Sequence, residues 1–125
     1  MIKQNFVIVC ESAIIEKDSN NLFILGIFEN MFAPNVPATH PQFAIVTSFS
    51  GGTGEHKIEI GIRHESGDEI AKLEGKILFS NTQKAQHIGR FITFPFPKFG
   101  LYKIEIYLDG ALQSLVGELN VVEKK

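Results

Sequence analysis

Along much of the chain, apolar and polar residues alternate one by one. In "HKIEIGIRH", Ile58, Ile60 and Ile62 fall on one side of an extended strand and Lys57, Glu59 and Arg63 on the other. In "LYKIEIYLDG", Tyr102, Ile104, Ile106 and Leu108 alternate with Lys103, Glu105 and Asp109. In "LVGELNVV", Leu115, Gly117, Leu119 and Val121 are set against Val116, Glu118, Asn120 and Val122. Successive side chains of a strand point to opposite faces, so a period of two predicts a sheet with one face in the core. "NFVIVC" and "FAIVTSF" are β-branched and aromatic, which suits the pleated surface of a strand. "LFILGIF", residues 22 to 28, is apolar throughout and predicts a central strand covered on both faces.

Turn-forming residues separate these runs. They cluster at "KDSNN", "APNVPATHP", "SGGTG", "ESGD", "SNTQ", "FPKFG" and "DG". Asp109-Gly110 carries the strongest hairpin signal, because a type I′ turn needs positive φ at both central positions. The spacing predicts a single domain over residues 1–125 with an all-β fold: an immunoglobulin-like antiparallel β-sandwich of seven to eight strands. "DEIAKLEGKILF" fits two periods. Ile70, Leu73 and Ile77 have helical spacing, whereas Ala71, Leu73, Gly75, Ile77 and Phe79 have strand spacing. Gly75 disfavours helix and "ESGD" looks like a short hairpin link, so strand is the preferred reading of residues 69–79.

"FPFP", residues 94 to 97, places Phe94 and Phe96 on one side of an extended chain. Two prolines in alternate positions cannot donate to a neighbouring strand, which predicts a sheet edge or a crossover. Both phenylalanines are then expected in the core. The competing reading is an exposed partner patch made of Met31, Phe32, Phe96 and Phe99.

A hydrophobic content of 44% and a charged content of 21% are those of a globular protein. The net charge of −2 supplies no electrostatic drive toward nucleic acid. A single cysteine, Cys10, forms no intramolecular disulfide and suits a reducing compartment. The apolar start meets Glu11 early and lacks a small-residue cleavage site, and no apolar run has the length of a membrane helix. A cytoplasmic, bacterial protein is the simplest expectation, with no nucleic acid, membrane or metal among its partners.

Candidate chemistry is sparse. "GGTGEHK" lacks P-loop spacing and is followed by a strand pattern, so no helix N-terminus is available for a phosphate. It is expected to be a hairpin loop whose glycines supply positive φ. His56 and His64 lie about 26 Å apart along one strand and cannot share a metal ion. No H-x-x-x-H or C-x-x-C spacing occurs, and exposed histidines are the default reading. Cys10, inside an apolar strand, reads as a buried small apolar residue more readily than as a nucleophile. The aspartates, Asp18, Asp68 and Asp109, fall one per loop, too few for calcium. No cofactor and no catalytic residue is expected.

Two resemblances add to this. Gly100, Tyr102 and Ile104 in "PKFGLYKIEIYLDG" resemble the tyrosine corner of immunoglobulin-like domains, in which the tyrosine hydroxyl bonds nearby backbone. Over most of the chain, Cys10, Glu11, Gly26, Phe28, Pro34, Pro37, Pro41, Asp109 and Gly110 follow a pattern that resembles an uncharacterised family of small bacterial proteins, a domain of unknown function. That resemblance implies a compact β protein and assigns no activity. The expected function is a non-enzymatic module for protein–protein interaction or self-association. The alternative is a small-ligand or enzymatic site in the 29–42 loop, built from Glu29, Asn30 and His40 with His87.

Overall fold

The computed structural model describes all 125 residues, Met1–Lys125. Ten strands and no helix build two packed sheets. They are β1 (Lys3–Ile15), β2 (Leu22–Ile27), β3 (Asn30–Ala33), β4 (Ala38–Ser50), β5 (Glu55–His64), β6 (Glu69–Leu78), β7 (Lys84–Phe96), β8 (Gly100–Leu108), β9 (Ala111–Leu112) and β10 (Gly117–Glu123). One sheet has the order β2-β1-β4-β7. The other has the order β3-β10-β8-β5-β6, with β9 paired to β8. Every pairing is antiparallel except the parallel β3–β10 pair. The two strands beyond the expected count are the short β3 and β9.

The alternating runs behave as their period requires. Ile58, Ile60 and Ile62 of β5, Tyr102, Ile104 and Ile106 of β8, and Leu119 of β10 are fully buried between the sheets. Each such side chain contributes on the order of 1.5–3 kcal/mol through loss of water contact. Residues 69–78 are strand, with Ile77 and the adjoining Phe79 buried and Lys72, Glu74 and Lys76 exposed. Leu108 pairs with Ala111 across Asp109 and Gly110, whose φ values of 50° and 85° are both positive, as a type I′ turn requires. The Tyr102 hydroxyl donates to Lys98 O at 2.7 Å and accepts from Lys98 N at 3.0 Å. This is the closure that the corner pattern predicts.

Three expectations need correction. First, "LFILGIF" is not a doubly covered central strand. Its strand, β2, is the outermost of the four-stranded sheet and leaves Phe23, Leu25 and Ile27 exposed. The doubly covered segment is "FAIVTSF" of β4, where all of residues 43–49 are buried. Its inner face meets the main core through Phe43, Ile45 and Phe49. Ala44 and Val46 join a second cluster with Cys10 and Ala13, bordered by Phe6, Ile8 and Ile88. Second, "GGTG" is not a hairpin loop. It carries the chain from β4 in one sheet to β5 in the other, with Gly51 and Gly54 at positive φ. Third, the histidines are not generally exposed. His64 is buried and bonds through Nε2 to Phe99 O at 2.9 Å, while its ring meets Tyr102 edge-on.

"FPFP" lies where its prolines require it, at the end of β7, an edge strand paired only to β4. Phe91 and Phe94 both pack on Phe43, stacked at 4.8 Å and edge-on at 5.8 Å. Residues three apart face opposite sides of a regular strand, so the side-chain alternation must break between them. Thr93, with φ of 51°, is where it breaks. Opposite it stands Pro41, the one position between Ala38 and Ser50 that the β4–β7 register skips.

Candidate functional site

Charge is distributed unevenly over the two sheets. All eight ion pairs lie on the six-stranded sheet or its loops, among them Arg63–Glu105 at 3.1 Å and Lys72–Glu59 at 3.3 Å. The charged members of its alternating strands thus find one another across the ladder on its outward face. The four-stranded sheet has none. At its outer edge, Phe23 is 48% exposed, Leu25 63% and Ile27 64%. Ile14, opposite Phe23 in the β1–β2 register, is exposed as well. "LFILGI" contains no charge and no proline, and its outward backbone edge has no neighbouring strand.

The same edge strand changes sheets. β2 runs beside Cys10–Ile15 of β1, steps across at Phe28 and Glu29, and continues as β3 beside Asn120–Glu123 of β10. Four of the residues carrying the family resemblance, Cys10, Glu11, Gly26 and Phe28, meet at this step. Gly26, at φ 69°, lies under Glu11, where an added Cβ would come 2.9 Å from Glu11 Cγ. Cys10 pairs with Ile27, and Phe28 N donates to Val9 O at 3.1 Å. Past the step, the first half of β1 and the start of β10 have no strand on their outer side. A cleft of about 480 Å³ opens there, with apolar lining from Val7, Val9 and Phe28 and polar lining from Glu29, Glu118 and Asn120. Gln4 of β1 ties down the segment before β10 by donating to Leu115 O and accepting from Leu115 N, at 3.1 and 2.8 Å.

The structure divides the residues of the alternative loop site. Glu29 and Asn30 line the cleft. His40 does not; its ring stacks on Phe28 at 5.2 Å and meets Phe43 edge-on, and its Nδ1 is buried without a partner. His87 stands far from both. On the β4–β7 ladder His40 pairs with Phe94 and His87 with Thr47, seven residues away, or about 23 Å at the usual strand rise. Burial lowers the His87 pKa and favours its neutral form. Gly75 leaves room for this ring, since a Cβ there would lie 2.8 Å from Nε2.

The proposed Met31, Phe32, Phe96 and Phe99 patch also fails to form. Phe96 is fully buried and Met31 nearly so, whereas Phe32 is 63% exposed. Parallel pairing with β10 turns Met31 and Ala33 inward beside Val121 and Phe32 outward. Cys10 is fully buried, and burial raises its thiol pKa, which disfavours the nucleophilic thiolate. No group of three or more histidine, cysteine, aspartate or glutamate side chains is placed to hold a metal ion. No helix is long and apolar enough to cross a membrane.

One ionisable pair was missed because its partners are 53 residues apart. His56 Nδ1 bonds Asp109 Oδ2 at 2.6 Å, and Nε2 bonds Thr53 O at 2.8 Å. Two acceptors require both ring nitrogens to carry protons. The Asp109 hydrogen bond, then Thr53 O, raises the His56 pKa, and the same bond lowers that of Asp109. Stability from the raised histidine is fully present below its ordinary value of about 6.5 and is lost as pH rises through the folded value. Stability from Asp109 is present above the ordinary carboxylate range and lost as pH falls through its lower folded value. The pair therefore works best between these limits. Asp109→Asn keeps a residue that tolerates positive φ. The melting temperature of the wild type should fall more steeply from pH 6 to 8 than that of Asp109→Asn. Parallel melting curves over that range would show that the pair contributes no pH-dependent stability.

The fold and its open edge define the protein as a small all-β sandwich with one unguarded edge strand and a cleft where that strand changes sheets. By its sequence it belongs to the family of unknown function DUF6941, whose family model matches residues 5–121, nearly the whole chain. No curated protein matches it.

Proposed function

We propose that this protein is a non-enzymatic assembly module that self-associates through the edge of β2. The observation that carries this reading is the uncharged, unpaired "LFILGI" strand with Phe23, Leu25 and Ile27 exposed. Natural sheets guard their edges with lysine, proline, bulges or covering loops, because a bare edge recruits another strand. Gly26 at positive φ is the one irregularity within β2. The remaining stretch, Leu22–Leu25, lacks a guard. Two copies related by a two-fold axis can pair this strand antiparallel without bringing like charges together. The charged outer face of the other sheet then stays in water.

Sedimentation equilibrium tests this directly. The wild-type chain should dimerise at micromolar concentrations. Leu25→Lys, which adds the charge that edge strands normally carry, should stay monomeric. Its melting temperature as a dilute monomer should match the wild type, because Leu25 is a surface position. A wild-type chain that remains monomeric at every concentration would reject self-pairing.

A further inference from the structure

The cleft at the sheet-changing step has features of a second site, independent of β2 self-pairing. Backbone N–H and C=O groups point to alternate edges along a strand. Val9 O faces the cleft side, where it accepts from Phe28 N, so the backbone groups of Val7 also face away from β4. Asn120 N donates to Glu29 O, away from β8, so the backbone groups of Glu118 face the cleft from the other sheet. β2 reaches only to Cys10 and β3 only to Asn120, so neither strand covers these groups. Two sheet edges thus offer unpaired donors and acceptors to one cavity.

The lining adds chemical selectivity. Its apolar part includes Val7, Val9, Phe28 and Leu101. Its charged part is Glu29 and Glu118, with no lysine, arginine or histidine among the lining residues. Neither carboxylate belongs to any of the ion pairs, although Lys103 is the cross-strand neighbour of Glu118. A volume near 480 Å³ falls within the usual range of ligand sites.

We infer that this cleft binds an extended peptide segment carrying a lysine or arginine beside an apolar residue. The segment takes the lane that β2 vacates beside β1. Its backbone pairs with Val7, its apolar side chain rests on Val9 and Phe28, and its cation meets Glu29 and Glu118. Main-chain bonding supplies affinity and the side chains supply selectivity, as in other cases of strand addition.

The test uses fluorescein-labelled hexapeptides of alternating valine and lysine, read by anisotropy against the full chain. One control peptide has glutamate in place of lysine, and another has N-methylated valines that cannot donate backbone bonds. The lysine peptide should bind the wild type. Each control, and the Glu29→Gln/Glu118→Gln variant, should weaken binding by roughly tenfold or more. Both glutamates are exposed and outside the ion pairs, so the variant should melt like the wild type. Leu25→Lys should retain peptide binding, which separates this site from the self-pairing edge. The inference is overturned if the lysine peptide fails to bind at millimolar concentration. It is equally overturned if either control peptide binds as well as the lysine peptide, or if the double variant binds it undiminished.

Discussion

Phe96→Ala should lower the unfolding free energy by about 3–5 kcal/mol and leave sedimentation unchanged. The ring is fully buried and enclosed by other rings: Phe94 at 4.8 Å, Tyr102 at 5.1 Å and Phe43 at 5.7 Å. Removing it leaves a cavity that rigid aromatic neighbours cannot collapse to fill. Phe96 also joins the two sheets, since it lies on β7 and packs against Tyr102 of β8. Chemical denaturation with a two-state fit reads the loss. A midpoint within experimental error of the wild type would contradict the enclosed position, and a change in sedimentation would return Phe96 to the surface patch.

Gly52→Ala should destabilise the fold by about 1–3 kcal/mol through overpacking. Gly52 is not among the glycines at positive φ, so the penalty is steric and not conformational. A methyl group there would stand 2.6 Å from Phe79 Cε2, 2.7 Å from Cζ and 2.8 Å from Ile2 Cγ1. Phe79 is buried, and its ring already meets His56 edge-on at 5.4 Å, so it has little room to move. A double-mutant cycle identifies the cause. In a Phe79→Leu background the Gly52→Ala penalty should shrink, because the two sites share one space. Simple additivity would mean that the clash is not the source.

The glycine-rich loop illustrates how far local sequence reaches. Its spacing was enough to argue against a phosphate cradle, and positive φ at Gly51 and Gly54 agrees with turn chemistry. Its role as a bridge between sheets was not legible, because a tight turn and a sheet-to-sheet corner draw on the same residues. The candidate site was harder still. Glu29 and Asn30 were singled out by position in a long loop, but Glu118 and Val7, which face them across the cleft, are remote in sequence. His56 and Asp109 were each visible as a strand residue and a turn residue. Nothing local indicated that the β5–β8 pairing would bring them to 2.6 Å.

By itself, the sequence determined the strand class of most segments, the inward faces of β5, β8 and β10 and the Asp109-Gly110 turn; it favoured strand over helix for residues 69–79 and core over surface patch for Phe96, and the structure decided both. These follow from period-two patterning, from φ preferences and from the missing N–H of proline, all properties of a few neighbouring residues. The tertiary structure alone decided which apolar strand is central and which lies at an edge. "LFILGIF" is more hydrophobic than "FAIVTSF", yet β4 has a strand on either side and β2 has only one. Composition measures how strongly a strand avoids water, but pairing partners decide whether its faces and edge are covered. In β2 the supply of covering strands stops short, and an apolar edge and the neighbouring cleft remain open.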